Sequence, residues 1–247
     1  MHQLLKHKWN TVKINFAFMQ CPTCKAEIEE TTYEPIVNEL AQLRNLKAQV
    51  EKMALEVSEV QGLPNAERLT TVGDIYEGKE LELAMHSCTF FECNDCKKPY
   101  FGGTADCMQQ LSAEENIDKE SLRCKECQIK AYGGGYGKCP KHGSEHIMWK
   151  CNYCCSVAKY HCHGNTYYCE RCHSRYPNRV VTYDCFGVDC PLGVPHPRAG
   201  SNVRESTYPL GCALCEKERI NEVVIVTPEM KQKHKEEMIK RAQEEKQ

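Results

Sequence analysis

Apolar residues recur every three or four positions from Pro35 to about Val60. Ile36, Leu40, Leu43, Leu46, Val50, Met53 and Val57 fall on one stripe, the periodicity of a helix with one buried face. Thr31 or Thr32 is a suitable cap, and Gly62-Leu63-Pro64 is a stop signal. The stripe is too short for a coiled-coil dimer, so it predicts a helix packed on its neighbours. Val12–Met19 and Thr89-Phe90-Phe91 read as strand-like runs. Residues 65–85 are polar, with Gly73 and Gly78, and read as an irregular linker. Pro228–Gln247 is charged with few apolar positions, the pattern of a solvated helical tail. No apolar run approaches the roughly 20 residues a membrane span needs.

Hydrophobic residues make up 41% of the 247, but that share includes 19 cysteines, so the aliphatic supply is lean. Metal binding can replace missing packing, because its free energy counts as folding free energy. Residues 1–20 carry no signal-peptide pattern, so the chain is expected inside the cell, in the cytoplasm, with the nucleus also open. There, regular C-x-x-C pairs read as zinc ligands and not as disulfides. Lys and Arg total 32 against 34 Asp and Glu; this balance argues against a nucleic-acid partner, which would call for a basic excess.

Ligand spacing predicts several zinc sites. Cys93, Cys96, Cys124 and Cys127 form the first. Cys139 and His142 lie close enough to Cys151 and Cys154 for a second, and Cys169, Cys172, Cys212 and Cys215 supply a third. Cys185, Cys190 and His196 are three ligands of a fourth, with His173 or Cys155 as candidates to complete it. Cross-braced and sequential pairings both fit these spacings. Cys21 and Cys24 form one more knuckle, preceded only by His2 and His7 as further ligands.

Cys88, Cys107, Cys155 and Cys162 remain. Cys88 and Cys155 read as small buried hydrophobes. Cys107 follows Tyr100-Phe101-Gly102-Gly103-Thr104-Ala105-Asp106, inside the excursion from Cys96 to Cys124. Its two glycines give the loop backbone freedom, so Cys107 is expected on a tethered, mobile loop. Cys162 sits between two knuckles, with His161, His163 and His173 nearby. An imidazolium lowers a thiol pKa, and neutral His173 can instead act as a general base; a zinc ligand or a surface histidine is the plainer reading of His173.

Several stretches resemble the tandem-cysteine domain of the RING-Cys-relay ubiquitin ligases, the Highwire/PAM (Myc-binding protein 2) family. They are Tyr100–Gly103 with Cys107, Cys139-Pro-Lys-His142, Lys150–Ala158, Cys162-x-Gly164, Cys169-x-x-Cys172-His173 and Gly211-Cys212-x-x-Cys215. Cys21-Pro-Thr-Cys24, with Trp9 upstream, resembles the last ligand pair of a RING domain without its first ligands. The resemblance covers about residues 8–216. His163 stands where the family has phenylalanine, Ser121 where it has glutamate, and Gly193 where it has histidine.

The resemblance implies a ubiquitin ligase that takes ubiquitin from a conjugating enzyme. Cys107 would be the upstream relay thiol and Cys162 the downstream one, with His173 the base that activates a substrate hydroxyl, Thr or Ser. The expected fold is small, zinc-stabilised α+β, irregular and loop-rich. It would comprise a RING-like segment (1–33), a linking helix (34–62), a linker (63–85), a tandem-cysteine domain (86–220) with about four zinc ions, and a charged tail (221–247); a further zinc would sit at the RING-like segment. The partners would be a charged conjugating enzyme, ubiquitin and a protein substrate, and the chain would be a monomer. The competing reading from another class is a non-catalytic zinc scaffold for protein partners. A nucleic-acid-binding zinc array and a thiol protease using Cys162 and His173 fit less well: the charges are balanced, and no oxyanion-hole element is recognisable.

Overall fold

The computed structural model describes residues 12–21, 23–27, 33–62, 66–109, 117–132, 138–175 and 207–216. The expected fourth ligand set (Cys185, Cys190, His196), Gly193, His2, His7, Trp9 and the charged tail lie outside them.

Helix α1 (Glu34–Gln61) follows the apolar stripe. Ile36, Leu40, Leu43 and Val50 are buried as the periodicity predicts, and the buried line continues through Ala54 and Ser58. Tyr33, not a threonine, occupies the cap position and makes no side-chain cap bond; Pro35 opens the first turn instead. Gly62, at φ 56, ends the helix where the stop signal lies.

The N-terminal half of α1 packs on Phe16, Phe18 and Met19. Further along, Val50 and Ala54 meet Ile14, Ala84 and Phe90. The Ile14 amide donates to the Phe90 carbonyl (2.8 Å), and Lys13 bridges Phe91. The segment before the helix is therefore bound to the domain after it through the edge of a sheet.

The stretch read as an irregular linker carries α2 (Ala66–Thr70) and α3 (Glu80–Ser87). A tight turn between them is held by Arg68, whose guanidinium contacts the Asp74 carboxylate at 2.9 Å. Leu83 and Ala84 are fully buried. A stretch too short to show a period still folds once one or two of its positions find a core.

Three antiparallel two-stranded sheets follow among the described residues, none closed into a barrel. β1 (Cys88–Glu92) pairs with β2 (Pro99–Thr104), which runs directly into the short helix α4 (Ala105–Gln109). Helix α5 (Lys125–Tyr132) leads to β3 (Ile147–Trp149), which pairs with β6 (Pro209–Cys212). β4 (Tyr160–Cys162) and β5 (Thr166–Tyr168) form a hairpin, and one helical turn, α6 (Glu170–His173), follows. The fold is small, loop-rich α+β, organised by clustered cysteines.

β2 lies flat on the β4–β5 hairpin. The Tyr100 hydroxyl donates to the Gly164 carbonyl (2.7 Å), and the Gly164 amide donates to Gly102 (2.9 Å). Burial pushes the Tyr100 phenol pKa up, which keeps that donor protonated. A Cβ on Gly103, at φ 125, would lie 2.8 Å from the His161 carbonyl oxygen and 2.9 Å from the Cys162 Cα. The two glycines expected to loosen this loop instead let two backbones touch.

Candidate metal centres and thiol site

Three groups of four bring their ligand atoms within 4.8 Å of one another: Cys93/Cys96/Cys124/Cys127, Cys139/His142/Cys212/Cys215 and Cys151/Cys154/Cys169/Cys172. The first is the expected set. The other two correct the expected pairing, because Cys139 and His142 join Cys212 and Cys215, and Cys151 and Cys154 join Cys169 and Cys172. The cause is topological. Pairing of β3 with β6 carries the Cys212 knuckle onto the Cys139 knuckle, while Cys151 is held over the hairpin by the bond from the Asn152 amide to the Tyr167 carbonyl (2.8 Å).

The donors suit a soft tetrahedral ion. Sulfur–sulfur separations of 3.8 Å (Cys96–Cys124), 3.4 Å (Cys139–Cys215) and 3.6 Å (Cys154–Cys169) compare with about 3.8 Å for two sulfurs at Zn–S bonds of about 2.3 Å. His142 turns Nδ1 toward three sulfurs, at 3.4–3.6 Å. Backbone amides point at the sulfurs, as where Cys124 donates to Cys93 (3.3 Å) and Tyr153 to Cys151 (3.4 Å). Each group can hold one metal ion. Cys21 and Cys24 form a knuckle turn, with Lys25 donating to the Cys21 carbonyl at 2.9 Å, but join no larger ligand group among the described residues.

Of the four cysteines left over in sequence, Cys88 is half-buried and Cys155 buried; burial pushes the Cys88 thiol pKa up. Cys107 and Cys162 come together. Their sulfurs are 3.2 Å apart, with the Cys162 thiol donating to Cys107, and His173 Nε2 lies 3.2 Å from the Cys107 sulfur. All three ligand atoms fall within 4.8 Å. Cys107 is 6% exposed and Cys162 2%, and both share a core with the Cys151/Cys154/Cys169/Cys172 set and Tyr168.

Each member comes from a different element. Cys162 ends β4, Cys107 is the middle residue of α4, and His173 closes α6, its amide bonded to the Cys169 carbonyl (2.9 Å). The histidine's backbone thus rests directly on Cys169 and Cys172 of a candidate metal-ligand group. Its ring stacks on Tyr160 (4.1 Å between centroids) and meets Tyr168 edge-on (5.8 Å). Tyr160 is anchored in turn by its hydroxyl, which donates to Glu170 at 2.9 Å.

The two thiols are electrostatically unequal. The Cys107 pKa is lowered to about 5, first by the hydrogen bond from Cys162, then by the Thr104 hydroxyl (3.3 Å) and His173, against the opposing effect of burial. The Cys162 pKa is pushed far up by the neighbouring Cys107 sulfur and by burial. Within the pair, negative charge is favoured on Cys107 and the proton on Cys162. His161, driven down to about 3 by burial, is a neutral ring stacked on Tyr167 (4.4 Å) and plays a packing part.

His173, expected beside Cys162, makes its 3.2 Å hydrogen bond with Cys107. Thr104 and Tyr160 are further neighbours of the site that ligand spacing does not reveal. Alternation along a strand does put Tyr160 and Cys162 on one face, so Tyr160 was within reach of the pattern. Ser121 donates to the Asp118 carbonyl (2.7 Å) and accepts from Asn165 (2.8 Å), helping to fix the hairpin turn, while Glu120 is exposed.

The chain thus combines, among the described residues, three four-ligand groups that could hold metal ions with a buried pair of thiols beside a histidine. No protein-family model matches it. The chain is 30% identical over 227 residues to the E3 ubiquitin-protein ligase MYCBP2 of Danio rerio, and 31% identical over 227 residues to the E3 ubiquitin-protein ligase highwire of Drosophila melanogaster. Each match takes in 86% of this chain but only 5% and 4% of the relative's length. Over most of its length the chain is thus similar to a short segment of each of these two ligases.

Proposed function

We propose that this chain is the catalytic part of a ubiquitin ligase that passes ubiquitin from a conjugating enzyme to Cys107, then to Cys162, then to a substrate hydroxyl. The observation that carries the reading is the contact among the Cys107 sulfur, the Cys162 sulfur and His173 Nε2, at 3.2 Å for each of the two bonds to Cys107. The names of the two relatives supply the chemistry that such a site would serve.

The Cys107 thiolate attacks the thioester carbonyl of the charged conjugating enzyme, whose own cysteine leaves as thiolate. Because the Cys107 sulfur is buried, α4 has to lift from the hairpin for this step and return afterwards. Once acylated, Cys107 no longer carries the negative charge that keeps Cys162 protonated. Cys162 can then give its proton to His173 Nε2, attack the Cys107 thioester and expel the Cys107 thiolate, and the imidazolium returns the proton to solvent before the last step. Loading the first thiol thereby arms the second.

In the last step the acceptor hydroxyl gives its proton to His173 Nε2 and attacks the Cys162 thioester, releasing the Cys162 thiolate. A hydroxyl needs such help, typically worth roughly 10²–10⁴-fold. The three four-ligand groups would hold zinc, which here serves to fix the fold and the backbone of His173.

Incubation with a charged conjugating enzyme and analysis on non-reducing gels tests this. Cys162→Ser is expected to trap a thiol-sensitive adduct on Cys107, Cys107→Ser to prevent any adduct on Cys162, and His173→Ala to stall the adduct before product. Product that is cleaved by hydroxylamine identifies the ester. Inert cysteines in the zinc-loaded wild-type chain would instead favour a scaffold.

A further inference from the structure

His163 follows Cys162 directly and is 4% exposed. Its backbone is left-handed, at φ 57, a conformation uncommon for a non-glycine residue. Its Nε2 lies 3.0 Å from the Cys107 carbonyl oxygen, so it is the nitrogen that donates. The ring also meets Tyr168 edge-on, at 6.1 Å.

α4 has five residues, and the last four carbonyls of a helix have no partner within it. The Cys107 carbonyl is one of these, and it is buried against the hairpin. His163 satisfies it from outside the helix. The bond therefore joins the residue next to one thiol to the backbone of the other.

We propose that His163 is a positioning residue, a catch that holds the Cys107 segment docked beside Cys162. The catch is a property of the folded chain. Its catalytic consequence rests on the relay proposed above. Holding α4 down favours the hand-over between thiols and opposes the lifting needed for loading. A hydrogen bond of ordinary strength would bias docking by about three- to tenfold.

Three forms of the full zinc-loaded chain separate donor loss from backbone strain. His163→Phe keeps an aromatic ring and loses the donor. His163→Gln keeps an N–H at similar reach and bears the same left-handed strain as phenylalanine. Zinc content equal to wild type confirms that each variant folds.

The first readout is the iodoacetamide alkylation rate of Cys107, followed by peptide mass spectrometry. The rate should rise about three- to tenfold in His163→Phe and return toward wild type in His163→Gln. Equal rates in all three proteins, or the same rise in both variants, would overturn the catch.

The second readout is single-turnover ubiquitin transfer. His163→Phe should accumulate the Cys107 adduct, with loading no slower and passage to Cys162 slowed by a similar factor. If wild type forms no adduct while alkylation behaves as expected, the relay fails and the catch stands. If wild type passes ubiquitin and His163→Phe passes it equally fast despite faster alkylation, the catch has no role in transfer and that half of the proposal falls.

Discussion

The Cys151/Cys154/Cys169/Cys172 group and the Cys107/Cys162/His173 cluster share one core, yet they are built on opposite plans. In the first, two local knuckles supply four like donors, with sulfurs 3.6 Å apart for Cys154–Cys169 and 3.7 Å for Cys154–Cys172. In the second, three separate elements each supply one donor, and the sulfurs approach to 3.2 Å. The first geometry suits an ion at its centre. The second leaves a hydrogen bond between two sulfurs, with negative charge favoured on Cys107 and the proton on Cys162. One arrangement closes off sulfur chemistry and the other prepares it.

The comparison is broken most severely by removing the metal. Strong chelation, or Cys154→Ala, should abolish the cooperative thermal transition of the 138–175 region. Structural zinc in small domains contributes roughly 10–16 kcal/mol, more than the whole net stability of a typical domain. Near-UV circular dichroism of the stacked tyrosines would follow the loss. A transition that survives full demetallation would mean that the apolar core suffices.

A smaller break comes at the contact between strand and hairpin. Gly103→Ala puts a Cβ against the His161 carbonyl and the Cys162 Cα at a backbone angle of 125°. A destabilisation of about 1–3 kcal/mol is expected, read as a lowered denaturant midpoint. Zinc content should stay intact, because the metal groups do not pass through this contact.

The electrostatic inequality can be sharpened without unfolding anything. Because the Cys107 pKa is lowered to about 5, its thiolate is present above that value and lost as pH falls through it. Alkylation of Cys107 should therefore stay near its plateau from about pH 8 to about pH 6, where an ordinary thiol loses reactivity. Cys162→Ala removes the largest cause and should move the inflection up toward the usual thiol range. The smallest effect is expected for Thr104→Val, which removes one weaker donor and should shift the same inflection upward by less.

What could be read from the sequence follows the same division. C-x-x-C spacing is a local rule, so the metal ligands were recognisable as pairs; which pairs meet is decided by the β3–β6 and β4–β5 pairings, and those lie beyond spacing. The apolar stripe of α1 was legible because Ile36, Leu40, Leu43 and Val50 repeat over several turns. α2 and α3 are too short to show a period. Gly102 and Gly103 were read as freedom and turned out to be close contact, since a glycine in a sequence does not say what its missing side chain would strike. Cys107 and Cys162 stood out by elimination and by family resemblance. Nothing local announced that two thiols 55 positions apart in sequence would close to a 3.2 Å contact.

The depth of the two sulfurs has a consequence for fidelity. A ubiquitin thioester on an open surface is exposed to water and to abundant small cellular thiols, each of which can discharge it unproductively. Cys107 and Cys162, at 6% and 2% exposure, would offer such thiols little approach while α4 is docked. In the proposed relay, leakage would be confined to the interval in which the helix is lifted, and the duration of that interval would set how many charged molecules reach a substrate.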